Sequence, residues 1–308
     1  GGGRPPPSAG ATGGKTEAVS VYGRFRPVSK GSPHGPIELL NPRSVQVREY
    51  EFTLDGIFEE IATQQEVYSR SAENNVATVI DGLNTTLMAY GQTGSGKTHA
   101  MFGPDEVLSN FSACDPALYG MIPRSLQQVF AALQAQPEGT TYSVQCSFVE
   151  LYLAHTRDLL GAEARSHDGK LIAPDRQLRD GKGGVYIVDL AKRPLKSVED
   201  AILAIKDGTR HRVVAEMNMN KRSSRGHAIF TVYVQRTTGK TGYAGKLNLV
   251  DLAGMESAGG QPSGVSSNES RKNETKHINQ SLSFLQTVVA GLCKQGGIVV
   301  WRNASLTR

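Results

Sequence analysis

Long apolar runs are missing from these 308 residues. None approaches the roughly 18 residues needed to cross a bilayer, and the N-terminus has no apolar signal-peptide core. Membrane contact and secretion are therefore not expected. Cysteine is scarce: Cys114, Cys146 and Cys293 lie far apart with no paired spacing. That argues against a zinc cluster and a disulfide framework, and for a reducing compartment, the cytoplasm. Without a secretory signal, the Asn-x-Ser/Thr triplets at Asn84, Asn110 and Asn268 carry no glycosylation meaning. A strong charge bias is missing too. The formal charge of +5 admits an acidic partner but is too small to indicate nucleic acid, which is not expected. No repeat or linker divides the chain. An apolar content of 38% and a charged content of 20% describe a soluble globular protein with ample material for a core, read as one domain.

Residues 1–16, GGGRPPPSAGATGGKT, read as a flexible leader, and residues 17–308 as the folded domain. Val19, Val21 and Phe25 alternate with polar residues as in a strand that Pro27 stops. Thr63-Gln64-Gln65-Glu66 forms a capping box, followed at helical spacing by Ala72, Val76, Val79, Ile80 and Leu83. A short strand over residues 86–90 runs into a glycine loop. Residues 143–152 and 229–234 alternate as strands, and residues 247–251 form a strand ending in a carboxylate. Ile278, Leu282, Leu285, Val289 and Leu292 describe a long amphipathic helix, residues 274–292. The Gly/Ser-rich residues 257–270 read as a long loop. Strands and helices interleave, which points to an α/β sheet with helices on both faces.

Chemistry concentrates in Gly91-Gln92-Thr93-Gly94-Ser95-Gly96-Lys97-Thr98, a phosphate-binding loop that follows a strand as that pattern requires. Glycines permit turns closed to other residues, so successive N–H groups from Gln92 to Gly96 point at phosphate oxygens. Lys97 brings positive charge to the β- and γ-phosphates. The Thr98 hydroxyl suits Mg²⁺, which keeps most of its waters and takes few protein ligands. Asp251, at a strand end, is the candidate second carboxylate of the magnesium shell, acting through water. Gly254, three residues on, is placed to present its N–H to a γ-phosphate.

Four collinear stretches resemble the nucleotide-site motifs of the kinesin motor domain: Arg24-Phe25-Arg26-Pro27, Gly91 to Thr98, Asn220-Lys221-Arg222-Ser223-Ser224-Arg225-Gly226-His227, and Asp251-Leu252-Ala253-Gly254-Met255-Glu256. Tyr119 to Arg124, Arg157 to Leu160, Ile278 to Leu282 and Leu306 to Arg308 match as well. The resemblance implies a P-loop NTPase fold with a central, mostly parallel eight-stranded sheet, and an ATP-driven motor that binds microtubules. By that likeness Arg24, Arg26, Pro27 and His99 surround the adenine. Ser223 and Ser224 contact magnesium, γ-phosphate or the attacking water, with Ser224 among the magnesium ligands. Arg225 and Glu256 form an ion pair across the closed site, orienting the water and coupling hydrolysis to switch movement. Lys272, Lys276, Arg302 and Arg308 are the expected cations toward acidic tubulin.

The chain departs from the family pattern in five places. Gly226 replaces a serine, with loss of a hydroxyl and a looser backbone expected. Met255 replaces a serine beside Glu256, and Leu153-Ala154 stand where Asn-Glu is usual. Residues 257–270 contain no lysine, and Ser305 replaces a tubulin-facing lysine. Chemistry is expected to be intact and tubulin affinity reduced. The alternative is a diverged head that holds nucleotide and microtubules but turns over slowly; an unrelated phosphate-loop ATPase is a distant third. The domain is expected to be C-terminally incomplete and its motor N-terminal, with any dimer contact in a tail outside these residues.

Overall fold

The computed structural model describes residues 19–27, 37–161, 164–165, 171–181, 184–217, 226–255, 269–292, 299 and 301–307. The first strand is β1 (Tyr22–Arg24). An antiparallel trio follows, β2 (Ile37–Asn41), β3 (Ser44–Val47) and β4 (Tyr50–Thr53), before β5 (Gly56–Phe58) returns to pair in parallel with β1. The capping box forms as the sequence indicates. Glu66 N–H donates to Thr63 Oγ1 at 3.2 Å, and Glu66 Oε2 accepts from Thr63 N–H at 2.8 Å. It starts α1 (Gln64–Ser71), but the helix does not run on to Leu83. It breaks into α2 (Glu73–Ala77) and a 3₁₀ turn over Thr78–Asp81 that ends at Gly82 with φ 87°. The tighter turn buries Val76 and Val79, leaves Leu83 exposed and feeds the chain directly into β6 (Asn84–Ala89).

Beyond β6 come α3 (Lys97–Phe102), α4 (Asp105–Ser109), α5 (Met121–Gln134), β7 (Thr141–Tyr152) and β8 (His155–Asp158). Two small antiparallel pairs follow, β9 (Ala164–Arg165) with β10 (Leu171–Ile172) and β11 (Leu178–Gly181) with β12 (Gly184–Ile187). Then come β13 (Arg193–Leu195), α6 (Val198–Met217), β14 (His227–Thr238), β15 (Thr241–Asp251) and α7 (Glu269–Leu292). The last begins five residues before the expected start at residue 274.

The larger sheet runs β13-β7-β14-β15-β6, with β8 also on β7. It is mixed rather than mostly parallel: only β15 and β6 run side by side in the same direction. Connection length accounts for the antiparallel β14–β15 and β7–β8 pairs. Thr238 pairs with Thr241 and Tyr152 with His155, so two residues join each pair, whereas a parallel crossover takes a dozen or more. Alternation along β14 and β15 then separates two cores. Phe230, Val232, Leu247 and Leu249 face α5 and α6, meeting Leu126, Val129, Ile202 and Ile205. Ile229 and Val250 face the other way, with Leu252, Ala253, Ile278 and Leu282, so α7 is seated on the opposite face.

The turn after β7 places Leu153 at φ 54°. A leucine Cβ there meets the following carbonyl, at a cost of about 1 kcal/mol, and the residue is 41% exposed, so it gains little from burial. Leu153→Asn, a residue that tolerates this conformation, is expected to raise stability by about 1 kcal/mol, read as a higher urea midpoint. A lower midpoint for the variant would show that the leucine contributes packing that outweighs the strain.

Candidate nucleotide site

Because β6 and β15 are parallel neighbours with Ala89 opposite Asp251, both chains leave the sheet at the same edge. Ligands in open α/β sheets bind outside the carboxyl ends of such strands. β6 delivers Gly91 to Gly96, and Gly96, at φ 96°, caps α3. Lys97 Nζ donates to the Gly91 and Gln92 carbonyls, both at 2.9 Å, so the lysine at the end of the loop braces its beginning. Thr98 Oγ1 donates to Asp251 Oδ2 at 2.8 Å. Sequence positions 153 apart thus form one side-chain pair.

Asp251 is 8% exposed, and its Oδ1 is buried with no hydrogen-bond partner among the described residues. Burial pushes its carboxyl up, while the Thr98 hydrogen bond, Arg212 and Lys97 pull it down. An orphaned carboxylate oxygen beside a threonine hydroxyl fits an oxygen-seeking, hydrated Mg²⁺. No group of three or more His, Cys, Asp or Glu among the described residues forms a separate metal cluster.

Gly254 lies against the loop so closely that a Cβ would fall 1.9 Å from Thr93 Oγ1 and 2.9 Å from Thr93 N. Only glycine fits there. One residue on, Met255 forms an isolated parallel bridge with Gln92. On the other flank, Arg24 Nη1 donates to Gln64 Oε1 at 2.9 Å, and Gln64 Nε2 donates to the His99 carbonyl at 2.9 Å. Arg26 Nη1 donates to the Gly94 carbonyl. Burial, then Arg24 and Arg26, hold the His99 imidazole below its ordinary range. Pro27 is exposed beside Arg26, and Ser95 N–H closes the loop onto the Gln92 carbonyl at 3.2 Å.

The structure therefore brings together Arg24, Arg26, His99, the loop from Gln92 to Thr98, Asp251 and Gly254. Ser223, Ser224, Arg225, Glu256 and Arg308 lie outside the described residues, and of Lys272 only the helical backbone is described. Lys276 is exposed on α7. Arg302 lies 3.5 Å from Asp180 of β11 in a solvent-exposed ion pair.

Sequence reasoning missed three contributors. In sequence Gln64 is only part of a capping box, yet it joins Arg24 to His99. Glu150 is 2% exposed and accepts from Arg212 Nε at 2.8 Å and Arg157 Nη1 at 3.0 Å. A carboxylate inside the apolar run Phe148-Val149-Glu150-Leu151 was the available signal, because a buried charge must be paired. Arg212 in turn donates to the Gly226 carbonyl at 2.7 Å. Gly226 is accordingly not a loosened position: it is buried, and a Cβ there would meet Glu150 Oε1 at 2.7 Å.

His227 links this edge to α7. Ala253 N–H donates to its Nδ1 at 3.1 Å, so Nε2 carries the proton and donates to Ser281 Oγ at 2.9 Å. The Ser281 hydroxyl in turn donates to the Ile278 carbonyl at 2.8 Å.

The sequence model of the Kinesin motor domain family matches residues 27–308. Kinesin-like protein KIN-5A of Arabidopsis thaliana is 36% identical over 263 residues, covering 83% of this chain and 24% of the relative. The kinesin heavy chain of Gibberella moniliformis is 33% identical over 302 residues, covering 94% and 30% respectively. A solved fast kinesin, described for its ATPase mechanism and interactions with microtubules, superimposes with a TM-score of 0.78 at 30% identity. That match covers 94% of this chain and 80% of the other. The chain spans about a quarter to a third of the length of these two full-length relatives. A phosphate loop braced by its own lysine, an aspartate on the neighbouring parallel strand and a glycine packed on the loop sit here in the kinesin fold, and the chain belongs to the kinesin motor domain family.

Proposed function

We propose that this chain is a microtubule-binding, ATP-hydrolysing motor domain that turns ATP cleavage into movement of α7. The observation that carries this is the Thr98–Asp251 pair beneath a loop on which Gly254 is packed. Arg24, Arg26, Pro27 and His99 would flank the adenine, with Gln64 holding Arg24 to the His99 backbone. Thr98 directly, Asp251 through water and Ser224 would hold Mg²⁺. The ion, when bound, neutralises charge developing on the phosphate oxygens. The amides from Gln92 to Gly96 and the Lys97 ammonium orient the phosphates. Phosphoryl transfer then needs a positioned water and little covalent help, roles assigned to Ser223, Arg225 and Glu256.

Gly254 directly follows Leu252 and Ala253, which pack with Ile278 and Leu282 of α7, so a shift of its N–H toward a γ-phosphate would be transmitted to that helix. Lys272 and Lys276 on α7, with Arg302 and Arg308, supply positive charge toward acidic tubulin. No helix among the described residues is long and apolar enough to cross a membrane. Steady-state ATP turnover with and without microtubules tests the reading. Stimulation of about ten-fold or more is expected, a difference of about 1.4 kcal/mol in barrier. Equal turnover in both conditions would overturn it.

A further inference from the structure

Three elements distant in sequence meet at the Tyr90 hydroxyl. The phenol donates its single proton to Met255 Sδ at 2.9 Å and accepts from Gln286 Nε2 at 2.7 Å. Tyr90 directly precedes Gly91, the first residue of the phosphate loop. Met255 directly follows Gly254. Gln286 lies on α7, one turn beyond Leu282, which packs under Leu252 and Ala253. Tyr90 is 43% and Met255 42% exposed, so filling an apolar core does not explain the contact.

We propose that Tyr90 is a positioning residue that carries nucleotide occupancy of the phosphate loop to α7 through Met255 and Gln286. The inference rests on the nucleotide-driven reading above and names its route. A thioether is a weak acceptor on a flexible, unbranched side chain. It reaches the phenol from a segment that has to move, and it releases at little cost because the exposed phenol O–H then donates to water. The same contact gives the non-family residue at position 255 a purpose: a serine side chain ends at Oγ and is too short to follow the phenol as Gly254 shifts.

The route is testable by hydrogen–deuterium exchange on the whole chain, with and without Mg²⁺ and the non-hydrolysable imido analogue of ATP. Tyr90→Phe keeps the ring and removes both hydrogen bonds; Met255→Leu removes only the acceptor at similar volume. In the unmodified chain the analogue is expected to protect both the phosphate loop and α7. In Tyr90→Phe the loop response stays and the α7 response shrinks about three-fold or more. Met255→Leu reproduces part of that loss, and the double variant is no worse than Tyr90→Phe, because both changes cut one path. An α7 response in Tyr90→Phe equal to that of the unmodified chain would overturn the proposal. So would an unmodified chain whose loop is protected while α7 is not. Absence of any loop protection would instead sink the nucleotide reading, and the coupling with it.

Discussion

Lys97→Ala is expected to lower the affinity for Mg²⁺-nucleotide by about 100-fold or more, the scale of a lost charge-assisted phosphate contact. Two losses combine. The ammonium no longer meets the β- and γ-phosphates, and the Gly91 and Gln92 carbonyls lose the donor that now braces them at 2.9 Å each. The second loss makes the loop itself less ordered, so binding must also order it. Titration with a fluorescent ADP analogue measures the affinity, and thermal melting without nucleotide checks that the fold survives. The phosphate-loop assignment is wrong if affinity changes by less than about three-fold, below one neutral hydrogen bond.

Acidification supplies the second large effect, through His227. Burial, and secondarily Arg212, push its imidazole down to about 4 from an ordinary 6.5. The geometry agrees: Nδ1 accepts from Ala253 N–H, and a second ring proton would break that bond inside the fold. In the unfolded chain the ring titrates normally, so below pH 6.5 the unfolded state binds a proton that the folded state refuses. The contribution is therefore complete above pH 6.5 and lost as pH falls toward 4, a total of roughly 3 kcal/mol. Between pH 7 and 5, urea stability is expected to drop by roughly 2 kcal/mol from this group alone. His227→Asn isolates the effect, since other titrating groups cancel in the difference between variants. Asp251, raised rather than lowered, works in the opposite sense and cancels in the same way. Parallel pH curves for the two chains would show that His227 does not titrate as its burial implies.

Both effects come from one edge of the sheet, and the second bears directly on α7. Lys97 acts on the loop after β6, and His227 holds the chain after β15 to Ser281 of the helix. On the reading proposed above, a nucleotide that moves one of these segments would act on the other through the packing of Gly254 on Thr93.

The sequence by itself determined the local parts of this protein. The phosphate loop, the Thr63 capping box, the strands β1, β6, β7, β14 and β15, the α/β class and the family likeness are set by short-range rules of backbone and periodicity. Those rules act over a few residues and can be read in order. Tertiary structure alone decided which distant residues meet. Thr98 reaches Asp251 only because β6 and β15 are parallel neighbours. Glu150 serves two arginines because the strand that buries it passes under Gly226. The antiparallel β14–β15 and β7–β8 pairs followed from two-residue connections whose pairing no alternation pattern specifies. Met255 stands out in sequence as a departure from the family pattern, but its meeting with Gln286 at the Tyr90 hydroxyl exists only once α7 lies on its face of the sheet. Hydrogen bonds across 150 to 200 residues depend on a three-dimensional register that the sum of the packing sets, so no local signal announces them.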